Sequence, residues 1–277
     1  MKKNGTFTTF LLILVLIIGL SLMLYPSFSE WWNGRYQSRA INTYSEQIAH
    51  IDNEAYKAMW ESAKAYNESL LDRRNNFILT EEQKALYDSQ LNIDDSGIMG
   101  YIEIPCINVT LSVYHSTDDA ILQVAVGHLD WTSLPTGGES THCVLSGHRG
   151  LPSAKLFTDL DKLTVGDYFE LHILDETLTY EVDQILIVEP EDTKDLLIEE
   201  GKDLCTLVTC TPYGINSHRL LVRGHRTDNM EQAQDVRVTA DAVIVEKLVV
   251  APFVLAPILL LMLLWLLIPG RSRKKEE

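Results

Sequence analysis

Both ends of the chain are long apolar runs without a charged residue, and they limit what the polypeptide can fold into. The first run, Phe7 to Tyr25, has 19 residues, and the second, Leu248 to Pro269, has 22. A helix needs about 20 apolar residues to cross a bilayer, so each run is long enough. The sequence therefore predicts two transmembrane helices, with residues 26–247 between them.

Basic residues lie on the terminal side of both apolar runs. Two lysines precede the first run, and four basic residues follow the second. Because positive charge tends to stay in the cytoplasm, we expect residues 1–6 and 270–277 to be cytoplasmic tails and residues 26–247 to lie outside the cell. The first run also has the layout of a signal peptide, but residues 27–29 form a poor cleavage site, which favours an uncleaved anchor.

The charge of the region between the runs is strongly acidic. The whole chain has a formal net charge of −16, and residues 1–25 and 248–277 each carry +2, which leaves −20 on residues 26–247. Such a surface disfavours nucleic acid and anionic lipid headgroups and favours basic or lysine-bearing partners. Solvation of the surface explains the acidity equally well.

Four cysteines are spread along the chain without a Cys-x-x-Cys pair or a Cys/His metal spacing. Cys143 and Cys205 lie inside apolar strand patterns, so we interpret them as small buried hydrophobic residues. Cys106 follows a proline, and only Cys210 is expected to be reactive. No calcium-loop pattern of acids occurs, so no metal and no organic cofactor is expected.

Residues 26–96 are predicted to be helical. From residue 41 to residue 70 the apolar positions recur every three or four residues, which indicates one amphipathic helix or a pair of them. These positions are Ile41, Tyr44, Ile48, Ile51, Ala55, Met59, Ala63, Tyr66 and Leu70. The stripe needs an apolar surface, most simply the side of the following domain, although a mere stalk between membrane and domain is the alternative.

After Gly97 the pattern changes to short apolar or alternating runs separated by turn residues. The predicted strands are Met99–Ile104, Ile107–Tyr114, Cys143–Ser146, Tyr168–Leu174, Leu178–Val188, Leu204–Cys210 and Arg219–Gly224. Seven or eight such strands predict a closed or nearly closed β-barrel over residues 97–226. Short helices are predicted at Asp118–Val126 and Lys155–Leu163, and the polar residues 227–247 are predicted to be a tether.

Cys210 closes one of these strands and is followed by a turn containing Pro212 and Gly214. A strand that ends in such a turn presents a thiol rigidly to a cleft. A thiol is a good nucleophile only as the thiolate, which needs a nearby cationic or basic partner. His148, within Ser146-Gly-His-Arg-Gly150, is a candidate for that partner.

These segments resemble the sortases, and specifically the class C sortases that assemble pili. The resemblance lies in Leu145-Ser-Gly-His-Arg-Gly150 and in Thr206-Leu-Val-Thr-Cys-Thr-Pro-Tyr-Gly214 with Arg219. It implies an eight-stranded barrel on a Gram-positive cell surface, with Cys210 as nucleophile, His148 as acid and Arg219 at the oxyanion. It also implies cleavage of a Leu-Pro-x-Thr-Gly-like signal between Thr and Gly through a thioester, and transfer to a lysine of another pilin.

Other residues compete for these roles. His128, His142 and His218 are rivals for the acid, although His218 should point away if Arg219 points in, because neighbours on a strand face opposite ways. Arg223 and Arg226 are alternatives to Arg219, and Arg223 cannot be excluded by its facing.

The chain departs from pilus sortases at one place. Those enzymes usually carry an Asp-Pro-aromatic lid ahead of the barrel, but no proline occurs here between Pro26 and Pro105. Residues 72–97 contain Phe77 and several acids, which could form a divergent lid. We expect a comparatively open site, so that deletion of residues 72–94 should not strongly raise the thiol reactivity of Cys210.

Three further interpretations of the chain stay open. A sortase that anchors proteins to peptidoglycan is the first, and a non-catalytic barrel receptor is the second. A cell-wall surface protein is the third, but it requires a Leu-Pro-x-Thr-Gly signal shortly before Leu248, which is absent. The similar segment Leu134-Pro-Thr-Gly-Gly138 lacks the intervening residue and is predicted to be a turn.

Overall fold

The computed structural model describes residues 4–71 and 78–229 and contains two compact units. One unit comprises Glu30–Gln232, and the described part of the other is residues 4–29. The α-helices are α1 (Asn4–His50), α2 (Asn53–Leu70), α3 (Glu81–Asp88) and α4 (Asp119–Leu122). Short 3-10 turns occur at Pro105–Ile107, Leu160–Lys162 and Lys194–Leu196.

The first apolar run of the sequence is helical and belongs to α1. Among the described helices, one is long and apolar enough to cross a membrane: it spans Phe10–His50, with a mean hydropathy of 2.5 in its most apolar window. None of that window is buried within the protein. The second predicted transmembrane segment, 248–269, and most of the predicted tether lie outside the described residues.

Eight strands form a closed barrel, as the sequence predicts. They are β1 (Ile98–Ile104), β2 (Val109–His115), β3 (Val126–His128), β4 (Thr141–Ser146), β5 (Tyr168–Ile173), β6 (Glu176–Val188), β7 (Asp203–Thr211) and β8 (His218–Arg226). Their order around the barrel is β1-β2-β3-β4-β7-β8-β6-β5, and β5 pairs with β1 to close it. The pairs β2–β3 and β4–β7 are parallel, and the others are antiparallel.

Alternate residues of the strands fill the interior. On β7, Cys205 and Leu207 belong to the main core, whereas Val208 belongs to a smaller apolar cluster on the other face of the sheet. This alternation follows from the two-residue period of a strand. It assigns the even-numbered positions of β7, including Cys210, to the outer face of the barrel.

Two predicted short helices differ in the structure. Instead of a helix over Asp118–Val126, α4 stops at Leu122, and the chain extends so that Val126 can pair with Val113 of β2. The predicted helix Lys155–Leu163 is reduced to the 3-10 turn Leu160–Lys162, and the chain before it places the fully buried Phe157 in the core, with its N–H donating to His148 O at 3.1 Å. In both segments, local helix preference gives way to tertiary contacts.

The amphipathic stripe forms a pair of helices that packs on the barrel. Asp52 ends the first helix and caps the second, accepting hydrogen bonds from the N–H groups of Glu54 and Ala55 at 2.9 and 2.7 Å. Near the end of α1, the hydroxyl of Tyr44 donates to the carbonyl of Met99 at 2.6 Å. The stripe residues Ala63, Tyr66 and Leu70 are buried in the core. The prediction that the stripe packs against the domain is confirmed, and the stalk interpretation is wrong.

The segment that imitates a sorting signal is a turn held by α2. The side-chain amide of Asn67 donates to the carbonyl of Leu134 at 3.0 Å and accepts from its N–H at 2.7 Å. Leu134 is fully buried, and Gly137 and Gly138 have φ values of 62° and 113°. The prediction of a turn is therefore confirmed.

Part of the segment considered as a lid is built into the core. Tyr87 and Leu91, on and just after α3, are buried, and the Tyr87 hydroxyl lies 2.8 Å from Nδ1 of His128 on β3. Deleting residues 72–94 would therefore remove core side chains as well as any cover. Residues 72–77 lie outside the described residues, so the open site stays a prediction. Deletion of 72–77 alone is the cleaner test, with the rate of Cys210 alkylation as the measurement.

Candidate active site

Cys210 lies at the carboxyl end of β7, on the outer face of the barrel and half-buried. Its direct cross-strand partner on β8 is Arg219. Because paired residues on neighbouring strands have their side chains on the same face, the thiol and the guanidinium project from the same side of the sheet. The Cα atoms of such a pair lie about 4.5–5.5 Å apart.

His148 approaches the same position from the other neighbour of β7. The last residues that pair between β4 and β7 are Ser146 and Val208. His148 follows Ser146 by two positions, and Cys210 follows Val208 by two positions, so the two residues are level. Two hydrogen bonds continue this register, from Gly147 N to Val208 O at 3.1 Å and from Thr209 Oγ1 to Gly147 O at 2.7 Å. Extended through these bonds, the register places the backbone of His148 level with that of Cys210, so Arg219, Cys210 and His148 occupy one row of backbone positions.

The glycines around His148 shape its loop. A Cβ atom on Gly147 would lie 2.7 Å from the ring of Phe157, which is fully buried and donates its N–H to His148 O at 3.1 Å. Gly150 has a φ of 75°, and a Cβ there would lie 2.8 Å from the ring of Tyr213. Both positions need glycine for close approach, so the loop has little freedom to move His148 away from β7.

Arg149 is a site residue to which the sequence reasoning assigned no role. Its guanidinium donates to Thr211 Oγ1 at 3.3 Å, pairs with Asp161 and lies 6.0 Å from the ring centroid of Tyr213. The side chain is only 9% exposed. Arg149 therefore ties the His148 loop to the turn that follows Cys210. Its place inside the Ser-Gly-His-Arg-Gly motif was the signal that could have revealed it.

The turn after β7 contains Pro212 and Gly214, as the sequence predicts. The N–H groups of Ile215 and Asn216 donate to Pro212 O at 3.1 and 2.9 Å, and Gly214 has a φ of 76°. The peptide bond between Thr211 and Pro212 is cis. The chain therefore leaves β7 immediately after Cys210 and returns as β8 beside it.

The rival histidines on β3 and β4 use both ring nitrogens in structural hydrogen bonds. His128 bonds to Tyr87 through Nδ1 and to Ser133 O through Nε2 at 2.8 Å. His142 bonds to Leu197 O through Nδ1 at 2.9 Å and to Thr206 Oγ1 through Nε2 at 2.7 Å. Both side chains are fully buried, so neither is available to a substrate.

The remaining candidates, His218 and Arg223, are distinguished from His148 and Arg219 by the direction of the side chain or by its ion pairs. His218 pairs with Thr211, one register position away from the pair formed by Cys210 and Arg219, so its side chain faces the opposite way. Arg223 makes a two-pronged ion pair with Asp183, at 2.9 and 3.0 Å. The recorded hydrogen bonds of Arg219 are instead to backbone carbonyls, those of Asn216 and His218 at 3.3 and 3.1 Å. Its charge is therefore not neutralised by these bonds.

An apolar floor lies on the same outer face, beside the row that contains Cys210. Val208 of β7 pairs with Leu221 of β8, which in turn pairs with Leu186 of β6. The floor comprises Val144, Leu196, Val208 and Leu221, with Leu129, Trp131, Leu186 and Val188 packed against them. Partly buried apolar side chains next to a thiol suit an extended, apolar segment of a substrate.

Two other cysteines are in the barrel interior. Cys143 and Cys205 are direct partners on β4 and β7, are buried, and are free thiols, as the sequence predicts. Burial raises the pKa of the Cys205 thiol well above its usual range. Cys106 is exposed on the short turn after β1. Of the four thiols, Cys210 is the one with a histidine and an arginine on the adjoining strand ends.

The buried His142 makes the stability of the barrel dependent on pH. Burial lowers the pKa of His142 below its usual 6.5, against an opposing hydrogen bond to Leu197 O. Below about pH 6.5, His142 takes up a proton in the unfolded chain but not in the folded chain. The free energy of unfolding therefore decreases on acidification. The expected slope for one such group is at most about 1.4 kcal/mol per pH unit. Denaturant unfolding of the solubilised chain between pH 7.5 and 5.5 measures it.

His142→Gln is the control for this slope. Glutamine cannot take up a proton in the window, so the variant should be less stable at pH 7.5 but should lose less stability on acidification. All other histidines are common to both proteins and cancel in the difference. Equal slopes in the two proteins would contradict the assignment.

The comparisons with known proteins agree on one family. The family model described as the sortase domain matches residues 102–227. Sortase C1 of Streptococcus agalactiae is 54% identical, with a TM-score of 0.68, and the match covers 69% of this chain and 99% of that chain. A sortase C of Streptococcus pneumoniae, whose structure is described as informing catalysis and pilin substrate specificity, is 42% identical, with a TM-score of 0.61 and coverages of 69% and 97%.

A curated relative is more distant. Sortase D of Bacillus subtilis is 32% identical over 130 residues, which is 46% of this chain and 63% of that protein. The chain therefore spans less than two-thirds of this relative. The matched residues of the sortase-domain model include Cys210, His148 and Arg219. With a closed eight-stranded barrel, the sortase-domain match and the near-complete overlap with solved sortase C structures, the chain belongs to the sortase family of cysteine transpeptidases, in its class C.

Proposed function

We propose that the protein is a membrane-anchored transpeptidase that joins pilin subunits through a thioester on Cys210. The observation that supports the proposal is the strand register, which makes Cys210 level with Arg219, its partner on β8, and with His148, which follows the parallel strand β4. Each supplies a function that peptide transfer requires: a nucleophile, a cation for the oxyanion and an acid that becomes a base.

In the first half-reaction, the thiolate of Cys210 attacks the carbonyl carbon of the threonine in a Leu-Pro-x-Thr-Gly-like signal. The carbonyl oxygen gains negative charge, which the guanidinium of Arg219 stabilises. As the C–N bond breaks, the imidazolium of His148 gives its proton to the departing glycine amine. The products are a thioester on Cys210, a neutral His148 and a free amine.

In the second half-reaction, the neutral imidazole of His148 takes a proton from the ε-ammonium group of a pilin lysine. The resulting amine attacks the thioester carbonyl, the C–S bond breaks, and Cys210 leaves as a thiolate. The nitrogen loses its second proton to water as the amide forms, which balances the proton that the released glycine amine takes up from water. The product is an isopeptide bond between two subunits. Both groups return to their starting charge states, so the cycle needs no cofactor.

Three observations support a pilin as the substrate. The apolar floor beside Cys210 suits the leucine and proline of a sorting signal, because apolar side chains there lose contact with water on binding. The Streptococcus pneumoniae relative has been described in terms of its pilin substrate specificity. The acidic surface of the chain, which carries −16 overall, favours a partner that presents lysines.

The proposed location follows from the apolar segments. The apolar part of α1 anchors the protein in the membrane, and residues 248–269 provide a second crossing, so both tails are cytoplasmic and the barrel is outside the cell. Pilins exported through the same membrane then meet the enzyme at its surface. Labelling of single cysteines placed in either tail with a membrane-impermeant maleimide tests this topology.

The test of the function is a polymerisation assay with the full chain in detergent. A pilin that carries a Leu-Pro-x-Thr-Gly-like signal should form a ladder of covalent multimers on a denaturing gel. Mass spectrometry should locate an isopeptide bond between its threonine and a lysine, and a pilin with that lysine replaced by arginine should be cleaved but not joined. An intact signal after long incubation would refute the transpeptidase. Transfer to a cell-wall peptide amine in preference to lysine would instead support the peptidoglycan-anchoring sortase.

A further inference from the structure

A cluster of polar side chains lies on the outer wall of the barrel, on strands that do not adjoin β7. On β1 and β5, Glu103 is the direct partner of Glu170, and Tyr101 is the direct partner of His172. On β5 and β6, His172 is in turn the partner of Thr177. The intervening residues Ile102 and Leu171 are fully buried in the core, so the cluster projects outward.

The two carboxylates face each other without a permanent cation between them. Among the described residues, the one basic group within 4.0 Å of these carboxylates is the ring of His172, which is charged only when it is protonated. Like charges directly opposite on neighbouring strands are destabilising. The arrangement therefore favours a positive charge that the described side chains do not supply.

His172 is held with one nitrogen directed at the carboxylates. Its ring is stacked on Tyr101, with centroids 4.4 Å apart and planes 12° apart, and Nδ1 lies 3.1 Å from the hydroxyl of Thr177. Nε2 is buried and has no hydrogen-bond partner among the described residues. It lies 4.0 Å from Glu103 Oε2 and 3.7 Å from Glu170 Oε2, beyond hydrogen-bond length.

We propose that Nε2 of His172 and the carboxylates of Glu103 and Glu170 form a binding site for a divalent transition-metal ion, best fitted by Zn²⁺. One oxygen or nitrogen atom from each of the three residues lies within 4.8 Å of the others. Bonds of 2.0–2.2 Å in a tetrahedral site put ligand atoms about 3.4 Å apart, so small side-chain rotations close the site. The positive charge of the ion would attract both carboxylates and so offset the repulsion between them.

The surroundings of the three residues match those of metal ligands. A ligating imidazole usually bonds through its other nitrogen, as His172 does with Thr177. The hydroxyl of Thr179 lies 3.5 Å from Oε1 of Glu170 and so orients that carboxylate. One imidazole nitrogen with two carboxylates suits zinc, whereas calcium and magnesium prefer sites made of oxygen. The ion would join β1 to β5, the pair of strands that closes the barrel.

Zinc titration of the metal-free full chain in detergent tests the site. All proteins carry Cys106→Ser and Cys210→Ala, because accessible thiols also bind zinc. Calorimetry should show one Zn²⁺ per chain at this site, and thermal unfolding should shift upward in the presence of zinc. His172→Gln and Glu103→Gln should each weaken binding at least about 100-fold. An excess of Ca²⁺ or Mg²⁺ should not displace the zinc.

Glu103→Gln separates a metal site from a merely structural cluster. Without metal this variant should melt at a higher temperature than its parent, since it lacks the like-charge pair, and with zinc the order should reverse. Glu181→Gln, an exposed glutamate on β6, is the matched control and should behave like the parent in both conditions. Equal zinc affinity in the parent, His172→Gln and Glu103→Gln, or no zinc binding by the parent, would overturn the proposal.

Discussion

Cys210→Ala is expected to abolish both cleavage of the sorting signal and formation of multimers, with a loss of at least about 10⁴-fold in turnover. The methyl group of alanine cannot form a thioester, and no other thiol has the same neighbours. Barrel stability should change little, because Cys210 is half-buried at the end of its strand. The measurement is the rate of release of the glycine-terminated fragment, together with intact-mass detection of the acyl-enzyme.

The matched control is Cys106→Ser, which removes the other thiol that is not buried. It should retain the wild-type rate and show the same increase in mass on acylation as the wild type. Cys143 and Cys205 serve less well as controls, because both are buried and their replacement would disturb the core. Signal cleavage that persists in Cys210→Ala, or an acyl group found on another residue, would rule out Cys210 as the nucleophile.

His148→Gln is expected to lower turnover by about 10²–10⁴-fold. Glutamine retains polar atoms beside Cys210 but can neither protonate the departing amine nor deprotonate the incoming lysine. The loss should therefore appear in single-turnover acylation as well as in multimer formation. Acylation measured at a saturating concentration of the signal peptide separates this effect from weaker binding.

His218→Gln is the control for this prediction. His218 is adjacent to Arg219 in sequence, but it pairs with Thr211, and its side chain faces away from the row that contains Cys210. Its replacement should leave both the single-turnover rate and multimer formation unchanged. If His218→Gln lost activity while His148→Gln kept it, the acid would have to be reassigned to His218.

The barrel was largely predictable because most of its strands bury one face. Period-two alternation gave all the strands except β3, whose residues Val126–His128 are too few to show a pattern. In the sequence, the helical pattern that begins near Asp118 continues through the residues of β3. Only the pairing of β3 with β2 in the structure shows that these residues form a strand and not part of α4. Strand order was not predictable, because the parallel pair β4–β7 depends on contacts between residues far apart in sequence.

The candidate site was predictable to a different extent for each residue. Cys210 closes a strand pattern and precedes a turn, which singled it out as a thiol, whereas the roles of His148 and Arg219 came from the resemblance to sortases. The rivals could be separated only by contacts, such as the buried hydrogen bonds of His142 and the ion pair of Arg223. The cluster of Glu103, Glu170 and His172 has no local signature, since β1 and β5 are distant in sequence and meet only when the barrel closes.

The pairing of β4 with β7 also has a consequence during synthesis and export. His148 and the thiol of Cys210 are separated by 62 residues and become neighbours only when these two distant strands align. Such long-range parallel contacts form late, after the entropy of closing the intervening loop has been overcome. Under the proposed topology, the chain is exported before this pairing forms, so Cys210 is not yet beside His148. The proposed nucleophile would then become reactive only after the barrel has folded outside the cell.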